Sequence, residues 1–222
     1  LVRWQHPERG LIPPDTFIPI AEESGLILSL SNWVIDTACR CAAGWPDSLF
    51  VSVNLSPSEF KRGNLVERVQ NILLDSGIDP ARVELEITES VMLEDAEGAL
   101  EIMHTLKRLG VRIAMDDFGT GYSSLSYLRT FPFDGLKIDR SFVNRLGESE
   151  DDKSIIQAIV GLGRALSLTV TAEGIETAEH LKLLKAVSCD EGQGYFLSRP
   201  LETSAFNALV GVRSGKGTRI NV

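Results

Sequence analysis

Six strand-like segments of the 222-residue chain each close on a polar residue able to do chemistry. Asn54 ends Phe50-Val51-Ser52-Val53, and Glu86 lies late in Val83-Glu84-Leu85-Glu86-Ile87. Asp116 and Asp117 follow Val111-Arg112-Ile113-Ala114-Met115, and Lys137 sits late in Gly135-Leu136-Lys137-Ile138-Asp139. Glu173 follows Thr169-Val170-Thr171-Ala172, and Gln193 follows Ser188-Cys189-Asp190-Glu191-Gly192. Carboxylate and amide oxygens of this kind suit a divalent cation. Two adjacent carboxylates at a strand end repel each other unless a cation holds them. A Glu86 facing a barrel interior needs a partner. Lysine is rarely buried unpaired, so Lys137 among carboxylates could hold a water or a phosphate oxygen. Asn54 offers a neutral oxygen, and Glu173 could be a ligand or a base. Gln193 carries less by itself. Each residue also has a bland reading: an acidic turn in water, a Glu paired outward with a helix lysine, a residue that ends its strand.

The elements that must position these groups alternate. The pattern predicts helices over residues 17–24, about 30–43, and a short one opened by the capping box Ser56-Pro57-Ser58-Glu59. Asn64-Leu65-Val66-Glu67 repeats that signature, with Leu65, Val69, Ile72 and Leu73 as the apolar face and Gly77 as the stop. Further helices follow over about 96–109, 123–130, 153–166, 177–187 and 203–210. Trp33, Val34, Thr37, Ala38 and Cys41 form the expected inner stripe of the second helix, and Ile155, Ile156, Ile159 and Val160 that of residues 153–166. Leu1-Val2-Arg3-Trp4 reads as a first strand and Tyr195-Phe196-Leu197-Ser198 as a last one. Strands alternating with helices imply a parallel α/β sheet. Polar ends spread over so many strands favour a closed barrel, whose active face is the carboxyl end of its strands.

Composition narrows the function. A net charge of −9 argues against a broad DNA- or RNA-binding surface. It is compatible with a small anionic ligand, because a bound metal inverts the electrostatics of an acidic pocket. Cys39, Cys41 and Cys189 form no CxxC pair and read as reduced thiols. His6, His104 and His180 are scattered, which makes a histidine zinc site a poor fit. No stretch approaches a membrane span or a secretory signal. Gly161-Leu162-Gly163 falls in a helix and is no phosphate loop.

The ordered strings resemble the EAL-domain family of cyclic di-GMP phosphodiesterases. They are Val2-Arg3-Trp4-Gln5-His6-Pro7, Phe17-Ile18-Pro19-Ile20-Ala21-Glu22, Ser52-Val53-Asn54-Leu55-Ser56 and Glu86-Ile87-Thr88-Glu89-Ser90. Asp116-Asp117-Phe118-Gly119-Thr120-Gly121-Tyr122-Ser123-Ser124-Leu125, Leu136-Lys137-Ile138-Asp139, Ala172-Glu173-Gly174-Ile175-Glu176 and Gln193-Gly194-Tyr195 continue the match. The resemblance implies a modified TIM (β/α)8 barrel over residues 1–210 with its first strand antiparallel; beyond it, Ser214-Gly215-Lys216-Gly217-Thr218 reads as part of a flexible tail at 211–222. It implies that Asn54, Glu86, Asp116, Asp117 and Glu173 bind two Mg²⁺ or Mn²⁺ ions, with Asp116 bridging. Lys137 would hold or activate the attacking water, Gln193 would support the metal–water network, and Arg3 would contact a substrate phosphate. Glu176 would anchor the loop 118–125. The product would be linear pGpG. A homodimer, an upstream sensory or GGDEF-type domain, and a cytoplasmic place for the domain, on a parent chain that could be membrane-anchored, complete the expectation.

Leu1 takes the place of the Leu in the Glu-Ala-Leu string that names the family, so the motif's Glu, a metal ligand there, would precede this sequence. For the sequence as written, weak metal binding and turnover are expected. Assaying it with and without a Glu-Ala extension checks this, and equal full activity in both would contradict it. Two other readings compete. A receptor that binds cyclic di-GMP without cleaving it would bind nucleotide and yield no pGpG. A barrel enzyme that enolises carboxylates would need a capping domain that nothing in the sequence supplies.

Overall fold

The computed structural model describes residues 2–61, 64–119, 125–147 and 150–210, without the side chains of Glu94, Glu150 and Asp151. The chain begins with an antiparallel hairpin, β1 (Trp4–His6) on β2 (Gly10–Ile12). Helices α1 (Pro14–Ser24) and α2 (Ile27–Ala43) lead to β3 (Val51–Leu55), then α3 (Pro57–Lys61) and α4 (Leu65–Ser76). A short 3₁₀ turn opens β4 (Val83–Thr88), followed by α5 (Ser90–Glu94), α6 (Ala96–Leu109) and β5 (Arg112–Phe118). Then come α7 (Leu125–Thr130), β6 (Gly135–Ile138), α8 (Arg140–Asn144), α9 (Glu150–Ala165), β7 (Thr169–Ala172), α10 (Ala178–Ala186), β8 (Glu191–Gly192) and α11 (Thr203–Leu209). Strands β3 to β8 form one six-stranded sheet in sequence order, every neighbouring pair parallel.

Period-two alternation sorts the side chains of that sheet. On β4, Val83, Leu85 and Ile87 are fully buried among the helices, while Glu84 and Glu86 face the concave interior. Ile113 and Met115 on β5, Leu136 and Ile138 on β6, and Val170 and Ala172 on β7 follow the same rule outward. The helices answer with their own stripes: Leu65, Val69, Ile72 and Leu73 on α4, and Ala99, Met103 and Leu106 on α6. Asp95 caps α6 by accepting the Gly98 N–H, and Gly110 ends it in the left-handed region.

Several sequence expectations change in detail. The buried stripe of α2 is Ile27, Ser31, Ile35, Cys39 and Ala42, and Trp33 is exposed. Val34 and Ala38 of the expected stripe pack against the core, only partly buried. Like Trp33, Ile155 on α9 is exposed, whereas Ile156, Ile159 and Val160 are buried. Residues 195–198 make no strand. The N–H groups of Leu197 and Ser198 turn back to the Gly194 carbonyl, and Phe196 N–H donates to Ile175. Antiparallel pairing at the start of the chain takes the form of the β1–β2 hairpin, outside the six-stranded sheet. Asn64 precedes α4 but its side chain makes no cap bond. The expected tail, 211–222, lies outside the described residues. All three cysteines are free, and burial, then Asp36, pushes the Cys39 thiol up to about 11.

The far end of the barrel, opposite the carboxyl ends of the strands, is pinned by buried charge. Arg82 is 8% exposed and donates to the carbonyls of Leu49 (2.7 Å), Ala42 (2.7 Å) and Trp45 (3.2 Å). It thereby closes the carboxyl end of α2 onto the start of β4. Replacing Arg82 with Met takes the guanidinium donors from all three carbonyls, of which Ala42 keeps the Trp45 N–H. It should cost about 3 kcal/mol, seen as a lower denaturant midpoint at unchanged slope. A midpoint equal to the parent's would contradict that role.

Candidate active site

The concave side of the sheet gathers the strand-end residues around one lysine. Lys137 Nζ lies 2.8 Å from Glu86 Oε1, 3.3 Å from Asp116 Oδ1 and 2.6 Å from Glu173 Oε1. Asn54 joins through its amide, which donates to Glu86 Oε2 at 2.9 Å. Asn54 and Glu86 are register partners on β3 and β4, so the pleat sets them side by side. β6 carries Lys137 from between β5 and β7, and Glu173 N–H bonds the Ile138 carbonyl to hold the end of β7 beside it.

Simple alternation would turn Asp117 toward the helices, but the ladder between β5 and β6 shifts register between Met115 and Phe118. There Asp117 adopts φ 55°, a left-handed conformation that few non-glycine residues take. Its N–H donates to the Asp116 carboxylate at 3.0 Å. Burial raises its carboxyl above the ordinary value, and Asp116, Asp139 and Glu173 add to the rise. The bulge therefore brings the second aspartate into the field of the same cluster. Gly119 follows with φ +97°, and a Cβ there would stand 2.7 Å from the Phe142 ring.

The electrostatics are those of a cluster short of positive charge. Burial alone would lower the lysine, yet Glu86, Asp116 and Glu173 reverse it and hold the ammonium well above its usual range. Burial raises Glu86, Lys137 opposes the rise, and Asp116 and Glu173 add to it. One ammonium faces three carboxylates. Among the described residues no three His, Cys, Asp or Glu side chains stand in a ready-made metal-ligand group. The carboxylates turn instead onto the lysine. The donor set nevertheless fits a hard divalent cation: oxygen ligands only, convergent, and with negative charge in excess.

The other expected residues lie further out. Gln193 is exposed just past β8, where its N–H bonds the Ala172 carbonyl and its carbonyl accepts from Ile175. Gly194 after it touches the Ile175 backbone so closely that a Cβ would stand 2.2 Å from it. Arg3 precedes β1, outside the six-stranded sheet, with a guanidinium N–H on the Val2 carbonyl at 3.0 Å. Glu176 is exposed, and its N–H faces His180 Nδ1 at 3.5 Å. The loop it was expected to anchor includes residues 120–124, which lie outside the described residues. Two features escaped the sequence reading. Asp139 ends β6 and acts on Asp117, while also capping α8 at Ser141. Glu22 of α1 accepts from Ser56 Oγ at 2.6 Å and, with Glu59 accepting the Ser56 N–H as the capping box predicts, clamps the turn just past Asn54.

Comparison with known proteins gives this arrangement a lineage. The EAL domain family pattern matches residues 1–200. An uncharacterized signaling protein of Caulobacter vibrioides is 50% identical over 205 residues, which is 92% of this chain and 25% of that protein. MucR of Pseudomonas aeruginosa, named a bifunctional diguanylate cyclase/cyclic di-GMP phosphodiesterase, is 44% identical over 214 residues, 95% of this chain and 31% of that protein. The solved c-di-GMP complex of PaMucR phosphodiesterase aligns with a TM-score of 0.88 at 44% identity, over 92% of this chain and 85% of that one. This chain spans about a quarter to a third of the length of these curated relatives. The match runs through every strand that supplies the lysine cluster, and on it the chain belongs to the EAL-domain family and has that family's modified TIM barrel.

Proposed function

We propose that this chain hydrolyses cyclic di-GMP to linear pGpG with two divalent cations, Mg²⁺ or Mn²⁺. The observation that carries the reading is the convergence of Glu86, Asp116 and Glu173 on the Lys137 ammonium. Asn54, Glu86, Asp116, Asp117 and Glu173 would hold the ions. Bound there, the cations would neutralise the acidic pocket and the phosphodiester, and would ease loss of a proton from water. In the reaction a water oxygen bonds to one phosphorus, the bond from that phosphorus to a 3′-oxygen breaks, the 3′-oxygen takes up a proton in place of the one the water gives up, and the ring opens.

The chain's own residues orient the participants. Lys137 keeps its proton at neutral pH and so acts as a donor, to a water or to a phosphoryl oxygen. Asp117 and Glu173 are acceptors for the hydrogens of that water. Gln193 supports the same water network, Arg3 meets a phosphate of the substrate, and Glu176 steadies the loop after β5. The working unit is a homodimer, within a longer chain that carries an upstream sensory or GGDEF-type domain. Such a domain would lie in the cytoplasm.

Chromatography after incubation of the chain carrying the Glu-Ala extension with cyclic di-GMP tests the reading, with Mg²⁺ or Mn²⁺ in one arm and EDTA in the other. pGpG that forms only with metal is the expected result. Tight nucleotide binding without pGpG would replace it with a receptor, and neither binding nor cleavage would overturn both.

A further inference from the structure

Below the Lys137 cluster the barrel interior holds a second charged layer. Interior positions of such barrels are usually filled by branched aliphatic side chains. Here Ser52, Glu84 and Arg112 stand side by side as register partners on β3, β4 and β5. Each lies two residues before an inward position of the upper layer, so all three share the concave face. Glu84 is 7% exposed. Its Oε1 accepts from Ser52 Oγ at 3.0 Å, and its Oε2 lies 3.3 Å from Arg112 Nη2. The guanidinium is steadied over the Phe50 ring, 5.0 Å from its centroid.

The place of that carboxylate matters. A Cβ built on Gly135 would stand 3.7 Å from Glu84 Oε2 and 3.3 Å from the Ala114 Cβ. Gly135 is the inward residue immediately below Lys137 on β6, so the Glu84 carboxylate lies beside the strand segment that carries the lysine. Burial raises the Glu84 carboxyl; Arg112 and then Ser52 hold it down, Glu191 adds to the rise, and the pull of Lys137 is the smallest of these. Glu86, Asp116 and Glu173 hold the ammonium, and Glu84 lies on the same concave face two residues before Glu86. A buried carboxylate stripped of its partner seeks the nearest cation, because an unpaired buried charge costs several kcal/mol.

We propose that Arg112 is a positioning residue. By engaging Glu84 it frees the Lys137 ammonium for the upper carboxylates, and so sets the height of Nζ at the barrel mouth. The inference rests on the catalytic reading of Lys137 given above, and adds to it a residue that touches neither substrate nor the metal-ligand set.

Four variants of the chain carrying the Glu-Ala extension test it: Arg112→Gln, Glu84→Gln, the double variant, and Arg112→Lys. Arg112→Gln should lower kcat about tenfold or more with KM for cyclic di-GMP nearly unchanged. Glu84→Gln and Arg112→Lys should stay within about threefold of the parent, and the double variant should recover most of the loss. A crystal structure of Arg112→Gln should place Nζ within hydrogen-bond distance of Glu84. Parent-like kcat with Nζ still on Glu86 and Glu173 would overturn the proposal, as would a double variant no better than Arg112→Gln, which marks a merely structural role. If the parent itself forms no pGpG, the proposed reaction fails separately, and the position of Nζ in Arg112→Gln still decides the role of Arg112.

Discussion

Asp116→Asn should reduce pGpG formation by about a thousandfold or more while leaving the barrel folded. The residue is 8% exposed, its Oδ1 accepts the Asp117 N–H at 3.0 Å, and the same oxygen lies 3.3 Å from Lys137 Nζ. Asn is isosteric and its carbonyl oxygen can keep both contacts, so packing is preserved. What disappears is one unit of negative charge at the centre of the cluster. That charge raises both Glu86 and Asp117, so both carboxyls should move down toward ordinary values. Without metal the variant should melt no lower than the parent, and somewhat higher if relief of repulsion dominates. The combination of an intact or raised melting temperature with lost turnover and weakened metal binding separates a charge role from a folding role. Calorimetric titration with Mn²⁺, melting in EDTA and a pGpG assay supply the three readings. A residual rate within tenfold of the parent would remove Asp116 from the metal set.

How far the sequence could lead is best judged residue by residue. Glu86 was legible because strict alternation along Val83–Thr88 assigns Val83, Leu85 and Ile87 to one face and leaves the acids on the other. Lys137 was legible because an unpaired lysine does not persist inside a strand, although the sequence set it on a water or phosphate oxygen rather than on the acids themselves. Asp117 was legible only by its neighbour. Its placement depends on a register shift and a left-handed backbone that no residue-type rule forces. The turn at 195–198 was misread because Tyr-Phe-Leu has strand propensity, which tertiary contact overrides. Gly194 lets the chain press against the Ile175 backbone, and the following N–H groups close on Gly194 instead of a neighbouring strand. Alternation puts Glu84 on the face of Glu86, but nothing in residue type ties it to Arg112 on the next strand, because that pairing depends on register. The capping signatures show the same limit. Ser56 and Glu59 form their box, while the equivalent string at Asn64 makes no side-chain bond. Local chemistry proposes such a contact, and the path of the chain decides whether it forms.

Lys137→Met makes the second large change, and its effects should run in opposite directions. Methionine fills much of the lysine stem's volume but leaves Glu86, Asp116 and Glu173 facing one another without their shared cation. Removing one side of a buried ionic network costs about 3–5 kcal/mol, so the metal-free variant should unfold at markedly lower denaturant. Divalent cation should rescue it, and by more than it stabilises the parent, because the competing ammonium is gone and stabilisation grows with affinity. Turnover should still be lost, since no donor replaces Nζ. The pH dependence follows from the two shifted groups. Lys137 is raised, so its contribution in the parent is complete below the unfolded lysine value of about 10.4 and is lost only as pH climbs through the higher folded value. Glu86 is also raised, and Lys137 is the main influence holding it down, so in the variant it should rise further. A carboxyl raised on folding contributes stability that is present below its unfolded value and lost as pH climbs through its folded one. In EDTA the deficit of Lys137→Met should therefore shrink as pH falls from neutral toward about 4.3, where unfolded glutamates protonate. Urea unfolding in EDTA at mildly acidic and neutral pH measures this directly. A deficit that stays constant across that window, or a variant as stable as the parent at neutral pH, would mean that the lysine is not the counter-charge of the three acids.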